Sequence, residues 1–364
     1  MKAAAALLAL TLPLAAGTPQ DAAPATFRLF DGLQRLDFET ELLDSGDITV
    51  WRPSVRYEQQ RDDWWVSAGV AVSSIAIDYE PTIVTSPAYR REETFEASAE
   101  VARRLSEAWE VSLGARFYDG FSDYRALWIS EYYDQFAGFL PGYETADPHG
   151  WGLTLGGTWE YIPHTAKLQA ALSYGRDHIV PAWSPEGATV SRTRDVLDTL
   201  AGSLTWEAAL SPRVKMSHTL RAGDTTARDI RIQARSEFAW AATDRLTLRA
   251  EAGGAHENPT FEAAYGALSL DYALTKRWST GLSARLYKDT GEIEASNFNT
   301  AAPGVTTREL SLHLLWSDET TTIRLSAGRL DADYDALSEN NLFFGNLYRD
   351  RDFLTTRLAI TRLF

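Results

Sequence analysis

The chain has 364 residues, a net charge of −15 and no cysteine. The missing cysteine excludes a disulfide framework and a thiolate metal site, and the negative charge opposes binding to polyanionic nucleic acid. Beyond the N-terminal segment nothing approaches the roughly 18 to 20 consecutive apolar residues of a membrane-spanning helix, which excludes a helical membrane protein.

Met1 and Lys2 are followed by the apolar run Ala3 to Leu12, then Pro13 and small residues. That order, charge then grease then small residues, is that of a secretory signal. Cleavage fits after Gly17 or after Ala25, so residues 1–25 are expected to be the signal with a short N-terminal segment and 26–364 one continuous domain, since no Pro/Ser-rich linker divides them.

From Leu33 onward apolar residues fall on alternate positions, the period of a strand with one greasy face. Leu36, Phe38, Thr40 and Leu42 alternate with Arg35, Asp37, Glu39 and Glu41, and Trp109, Val111, Leu113, Ala115 and Phe117 alternate with Glu110, Ser112, Gly114, Arg116 and Tyr118. The same pattern continues through Trp151 to Tyr161, Leu168 to Tyr174, Val214 to Leu220, Ile230 to Trp240, Leu246 to Ala252, Trp278 to Leu286, Leu310 to Trp316 and Leu354 to Phe364. Short turns, near Gln60 to Asp62, Ser106, Pro163 to Thr165, Ser211 to Pro212, Thr243 to Asp244, Lys276 and Asp318 to Glu319, take turns with connections that are mostly longer. The longer ones include Tyr79 to Arg91, Gly120 to Gly150, His178 to Arg192, Lys288 to Thr306 and Ala332 to Asp350. Seven short turns and eight connections of the other kind give sixteen strands, within a range of 14 to 16, with both ends on the short-turn side. This is the asymmetry of an all-β, transmembrane, antiparallel up-and-down β-barrel.

Tryptophan separates that barrel from a water-soluble sandwich. Trp64, Trp109, Trp159, Trp206, Trp240, Trp278 and Trp316 share the greasy parity and sit beside short turns. Indoles at one level form a girdle at headgroup depth. The opposite parity carries Arg52, Ser54, Arg56 and Glu58, or Arg245, Thr247, Arg249 and Glu251, costly in a dry core and solvated in a watery lumen.

The last strand, Leu354 to Ile360 and on to Phe364, resembles the C-terminal signature of bacterial outer-membrane barrels, which the barrel-assembly machinery reads. Arg362, two residues before the end on the same face, departs from that pattern. The resemblance to the Gram-negative outer-membrane β-barrel superfamily implies location in the cell outer membrane, Phe364 as assembly signal, and outer-membrane lipid and the assembly machinery as partners. Strand count and length are similar to those of general porins, whose third outer loop folds inward as a constriction; that analogy implies a homotrimer. Here the third outer loop, Gly120 to Gly150, carries Asp123, Glu131, Asp134, Glu144 and Asp147, with Phe136, Phe139, Leu140 and Tyr143 to tuck inward.

Expected pore-lining cations are Arg35, Arg52, Arg56, Arg104 and Arg116, then a denser group of Arg213, Lys215, Arg221, Arg231, Arg235, Arg245 and Arg249. They either select permeating ions or pair with neighbouring acids to keep the interior solvated. Catalysis is not expected: His313, Ser311 and Glu309 share one strand face but project in parallel, and no phosphate loop, helical HExxH or Cys/His cluster is present. No cofactor is expected. The reading is a porin-like channel for passive diffusion of small hydrophilic solutes or ions. The alternatives are a closed-lumen surface barrel acting in adhesion or recognition, with Trp128, Tyr132, Tyr133, Phe343, Phe344 and Tyr348 in its outer loops, and a specific transporter of an apolar compound, hinted at by Ile75, Ile77 and Tyr79 on one inward face.

Overall fold

The computed structural model describes residues 34–79, 88–121, 124, 125, 127, 148–178, 182–186, 189–193, 196–226, 229–258, 261–291, 303–335 and 348–364. In chain order the strands are β1 (Gln34–Asp44), β2 (Ile48–Arg61), β3 (Trp64–Tyr79), β4 (Ala88–Arg104), β5 (Trp109–Asp119), β6 (His149–Ile162), β7 (Ala166–His178), β8 (Ala182–Glu186), β9 (Thr189–Thr193), β10 (Val196–Ser211), β11 (Val214–Thr225), β12 (Arg231–Ala241), β13 (Leu246–Glu257), β14 (Phe261–Ala273), β15 (Trp278–Asp289), β16 (Val305–Ser317), β17 (Thr321–Tyr334) and β18 (Arg351–Leu363). All but β8 and β9 form one closed antiparallel barrel of sixteen strands. The first strand pairs with β2 and closes the barrel against β18 from Arg35↔Leu363 to Asp44↔Leu354. Closure matters because in hydrocarbon every backbone N–H and C=O must be paired internally.

The barrel is inside-out relative to a soluble protein. Leu268, Leu312 and Leu155 are 66%, 64% and 60% exposed, whereas Arg351 and Glu257 inside are 5% and 4% exposed. Trp109 and Trp159 are register partners and stack at 5.6 Å; Trp278 and Trp316 are likewise partners. All seven expected girdle indoles lie on the outward parity beside the short turns. A second outward belt near the opposite rim contains Trp51, Phe117, Trp151 and Tyr174. Trp151 and Trp159 are eight residues apart on β6, roughly 27 Å along the strand.

Strand tilt follows from the register. The row through Arg116 passes Gly152, Gly175 and Thr199 and reaches Thr225 on β11. Arg116 is seven residues on from Trp109, the start of β5, and seven on from Val214, the start of β11, is Arg221. The row therefore climbs four residues in four strands, about 13 Å over about 19 Å, a tilt of about 35°. That tilt belongs to transmembrane barrels, and it puts Arg116 and Arg221 at one height.

The tight connections have local causes. Asp62 and His164 take left-handed backbone (φ 53° and 57°) in short turns, and Gly46 (φ 87°) lets β1 and β2 join through three residues. The hairpin β8–β9 stands in the connection 179–195, which the sequence presents as loop. Its five-residue strands are too short for alternation to register.

Candidate functional site in the barrel lumen

At the extracellular mouth a group of inward side chains is apolar. Ile48, Ile75, Ile77, Tyr287, Val305, Ala332 and Phe353 form one buried cluster with Phe121, Tyr124 and Leu127 from the β5–β6 connection and Tyr348 from the β17–β18 connection. The strands concerned, β14 to β18 and β1 to β3, are a continuous half of the wall. Tyr124 and Leu127 lie on a helical turn and reach that wall from β5. The Tyr124 hydroxyl is 3.0 Å from that of Tyr334 on β17, six strands round the barrel. Gly120 N donates to Pro148 O at 2.8 Å and the Thr94 hydroxyl donates to the Phe121 carbonyl, which pins the base of the loop. Tucking of the loop's first apolar residues is thus observed, though by Phe121, Tyr124 and Leu127. Asp123, Glu131, Asp134, Glu144 and Asp147, and the four apolar residues Phe136, Phe139, Leu140 and Tyr143, lie outside the described residues, as do residues 1–25.

The rim is tied by charge. Arg349 and Arg351 donate to Asp47 at 2.7 and 3.0 Å. Burial raises the Asp47 pKa, but the Ser45 hydroxyl and the two guanidiniums outweigh it, and the carboxyl is held below its ordinary value. Inside, Arg231 donates to Glu257 at 2.8 Å with its guanidinium 4.4 Å over Phe261.

Below the mouth the wall from β12 through β18 and β1 to β4 carries a belt of alternating charge. Arg35 meets Asp37 at 2.9 Å, Arg52 meets Glu96 at 2.7 Å, and Arg56 meets Glu58 at 2.9 Å. Arg357 pairs with Glu39. Arg235 pairs with Glu237 and Glu251 at 2.5 and 3.0 Å, and Arg249 pairs with Asp271 at 2.6 Å. Six of the expected pore-lining cations, Arg35, Arg52, Arg56, Arg231, Arg235 and Arg249, therefore stand in ion pairs on the inward parity. Arg245 sits in the turn between β12 and β13, one residue before β13 begins, where parity stops defining a direction. Arg116, on the inward parity of β5, has no ion pair or hydrogen bond among the described residues.

His313 is 4% exposed, with Nε2 2.6 Å from Asp271 Oδ1. Ser311 instead bonds Ser283 at 2.6 Å, so the strand-face triplet His313, Ser311 and Glu309 does not converge. No group of three or more His, Cys, Asp or Glu able to hold a metal occurs among the described residues.

The other half of the wall differs. The inward positions of β6, β7, β10 and β11 are mostly small or hydroxylated: Gly152, Thr154 and Gly156; Ala171, Ser173 and Gly175; Thr199, Ala201 and Ser203; Ser217, Thr219 and Gly223. Glu207 near the periplasmic end is shared by Lys167 and Lys215 at 3.3 and 3.4 Å. The sequence holds this lane in its inward parity, but its significance depends on the loop crossing to the opposite wall, which parity does not reveal.

No family model and no curated protein matches the chain. Among solved structures it is similar to CdiB from Acinetobacter baumannii (TM-score 0.55, 7% identity, covering 92% of this chain and 60% of that one). It is also similar to a bacterial polysaccharide outer membrane secretin (TM-score 0.52, 11% identity, 92% of this chain and 99% of that one). The chain thus spans only about three-fifths of the length of CdiB. At such identities the likeness is one of fold, and it agrees with the closed barrel, the apolar outer band and the two aromatic girdles: the chain has the fold of a Gram-negative outer-membrane β-barrel.

Proposed function

We propose that the protein is a porin-like channel of the outer membrane through which small hydrophilic solutes or ions diffuse passively, without cofactor or catalysis. The observation that carries this reading is the division of the lumen. The loop from β5 anchors on the β14–β3 half, leaving the lane of glycine, alanine, serine and threonine on β6 to β11 as the path of least obstruction. A sixteen-strand barrel is wide enough for water to fill it where side chains are short. Outer-membrane lipid, the barrel-assembly machinery and a homotrimeric assembly belong to the same proposal.

A second reading has its own observation. The buried apolar cluster at the mouth is what a transporter would present to a solute with an apolar part. In favour of the porin reading, that cluster is filled by the protein's own Leu127 and Tyr124, at 0% and 6% exposure, which leaves its surface satisfied without a ligand.

The test is single-channel conductance of the detergent-purified protein in a planar bilayer, comparing the intact chain with one lacking residues 124–145. Stable steps that grow on deletion support the channel and its constriction. Absence of conductance in both, from folded inserted barrels, discards it.

A further inference from the structure

The open lane contains two cations that the ion-pair belt does not absorb. Arg116 on β5 and Arg221 on β11 stand at one height, each seven residues beyond the start of its strand. Arg116 lies flat across the lane: a Cβ on Gly152 would come within 2.9 Å of its Nε, and one on Gly175 within 3.7 Å of its Nη2. Its guanidinium is thereby carried over β6 to β7, towards β11. Neither arginine makes an ion pair or hydrogen bond among the described residues. The charged group acting on Arg221 is Arg116, a like charge. Arg116 acts electrostatically on Asp177, whose carboxylate accepts from the Tyr118 hydroxyl at 2.9 Å.

We propose that Arg116 and Arg221 form an anion-binding step in this lane, taking small oxyanions (carboxylate or phosphate groups) and making the channel anion-selective. The proposal rests on the channel reading above. Arg116 and Arg221 are like charges that act on each other, and their repulsion is relieved when an anion rests between them. Guanidinium forks fit the paired oxygens of carboxylate and phosphate. On the opposite wall Arg35, Arg52, Arg56, Arg235, Arg249 and Arg357 each stand against a carboxylate, whereas among the described residues Arg116 and Arg221 stand against none in the lane. The glycines beneath Arg116 let it lie close against the wall.

The experiment is the reversal potential of the full-length protein under a KCl gradient, followed by addition of inorganic phosphate or acetate at constant ionic strength. Chloride over potassium permeability should be several-fold above one, and both oxyanions should reduce the chloride current. In the double variant Arg116→Gln, Arg221→Gln the ratio should fall to about one and the block should disappear. A wild-type channel that prefers cations, or a double variant with an unchanged reversal potential, overturns the proposal while leaving the channel reading intact. If the folded barrel does not conduct, the channel reading fails by itself. The pair is then read by phosphorus-31 line broadening of inorganic phosphate with the detergent-solubilised protein: broadening lost in the double variant upholds the site, and no broadening overturns it.

Discussion

The hydroxyl of Tyr124, on the loop after β5, lies 3.0 Å from the hydroxyl of Tyr334 on β17, and this contact joins two walls of the barrel across its mouth. Tyr124 also packs against Phe353 at 6.3 Å between ring centroids, and Tyr334 against Tyr348 at 5.6 Å. Tyr334→Phe keeps the packing and removes the hydrogen bond, worth about 1 kcal/mol. The expected outcome is a channel with unchanged folding and more frequent flicker between current levels. Leu127→Asp, which places a charge in a site 0% exposed, should release the loop and raise mean conductance. Equal conductance and noise in all three proteins would show that the loop does not constrict the path.

Asp47 gives the rim a pH dependence. Its folded pKa lies below the ordinary carboxylate value because Ser45, Arg351 and Arg349 together outweigh its burial. A depressed carboxylate contributes stability above its unfolded pKa of about 4, and the contribution is lost as pH falls through the folded value. Asp47→Asn, which removes the negative charge facing the Arg351 guanidinium at 2% exposure, should cost about 3 kcal/mol at neutral pH. Thermal unfolding in detergent should show the gap between wild type and variant narrowing below about pH 4. A gap constant down to pH 2 would refute the assignment.

Gly281 on β15 is where the wall passes beneath His313. A Cβ there would collide with the His313 ring and with the Leu270 carbonyl oxygen, whereas one on Gly114 meets nothing nearer than 3.8 Å. Gly281→Ala should therefore displace His313 from Asp271 and destabilise the barrel by several kcal/mol, about the cost of overpacking plus a broken buried pair. Gly114→Ala should be close to neutral. The shift from folded to unfolded mobility on heating in detergent gel electrophoresis reads both; equal behaviour of the two variants contradicts the packing described.

The outward indoles make the membrane placement measurable. Trp109 and Trp159 stack on the outer face beside short turns, at 50% and 42% exposure. In proteoliposomes, lipids brominated near the headgroup should quench girdle fluorescence more than lipids brominated near the chain ends. Removing both indoles (Trp109→Phe, Trp159→Phe) should lower the shallow quenching selectively. Stronger quenching from the bilayer centre would move the girdle out of the interface.

Sixteen strands, their order and both rims were legible in the sequence because each property is local. Side chains alternate by covalent geometry, so Leu153 and Leu155 on one parity and Thr154 and Gly156 on the other already state which face meets lipid. Connection length then sorts the rims, and closure follows because an open edge in lipid leaves backbone groups unpaired. The lumen was less legible. Parity places Arg52 and Arg235 inside, yet a single strand does not show that Glu96 and Glu251 neutralise them from other strands. Nor does it show that Arg221 faces Arg116 four strands away, because height in a tilted barrel depends on the accumulated stagger of every intervening register. The meeting of Tyr124 with Tyr334 is furthest from the sequence: 210 positions separate them, and nothing periodic marks either. Alternation and turn length thus determined the barrel and its surroundings, while only the three-dimensional closure decided where Tyr124 and Leu127 are seated, which charges are matched across strands, and which two arginines share a height.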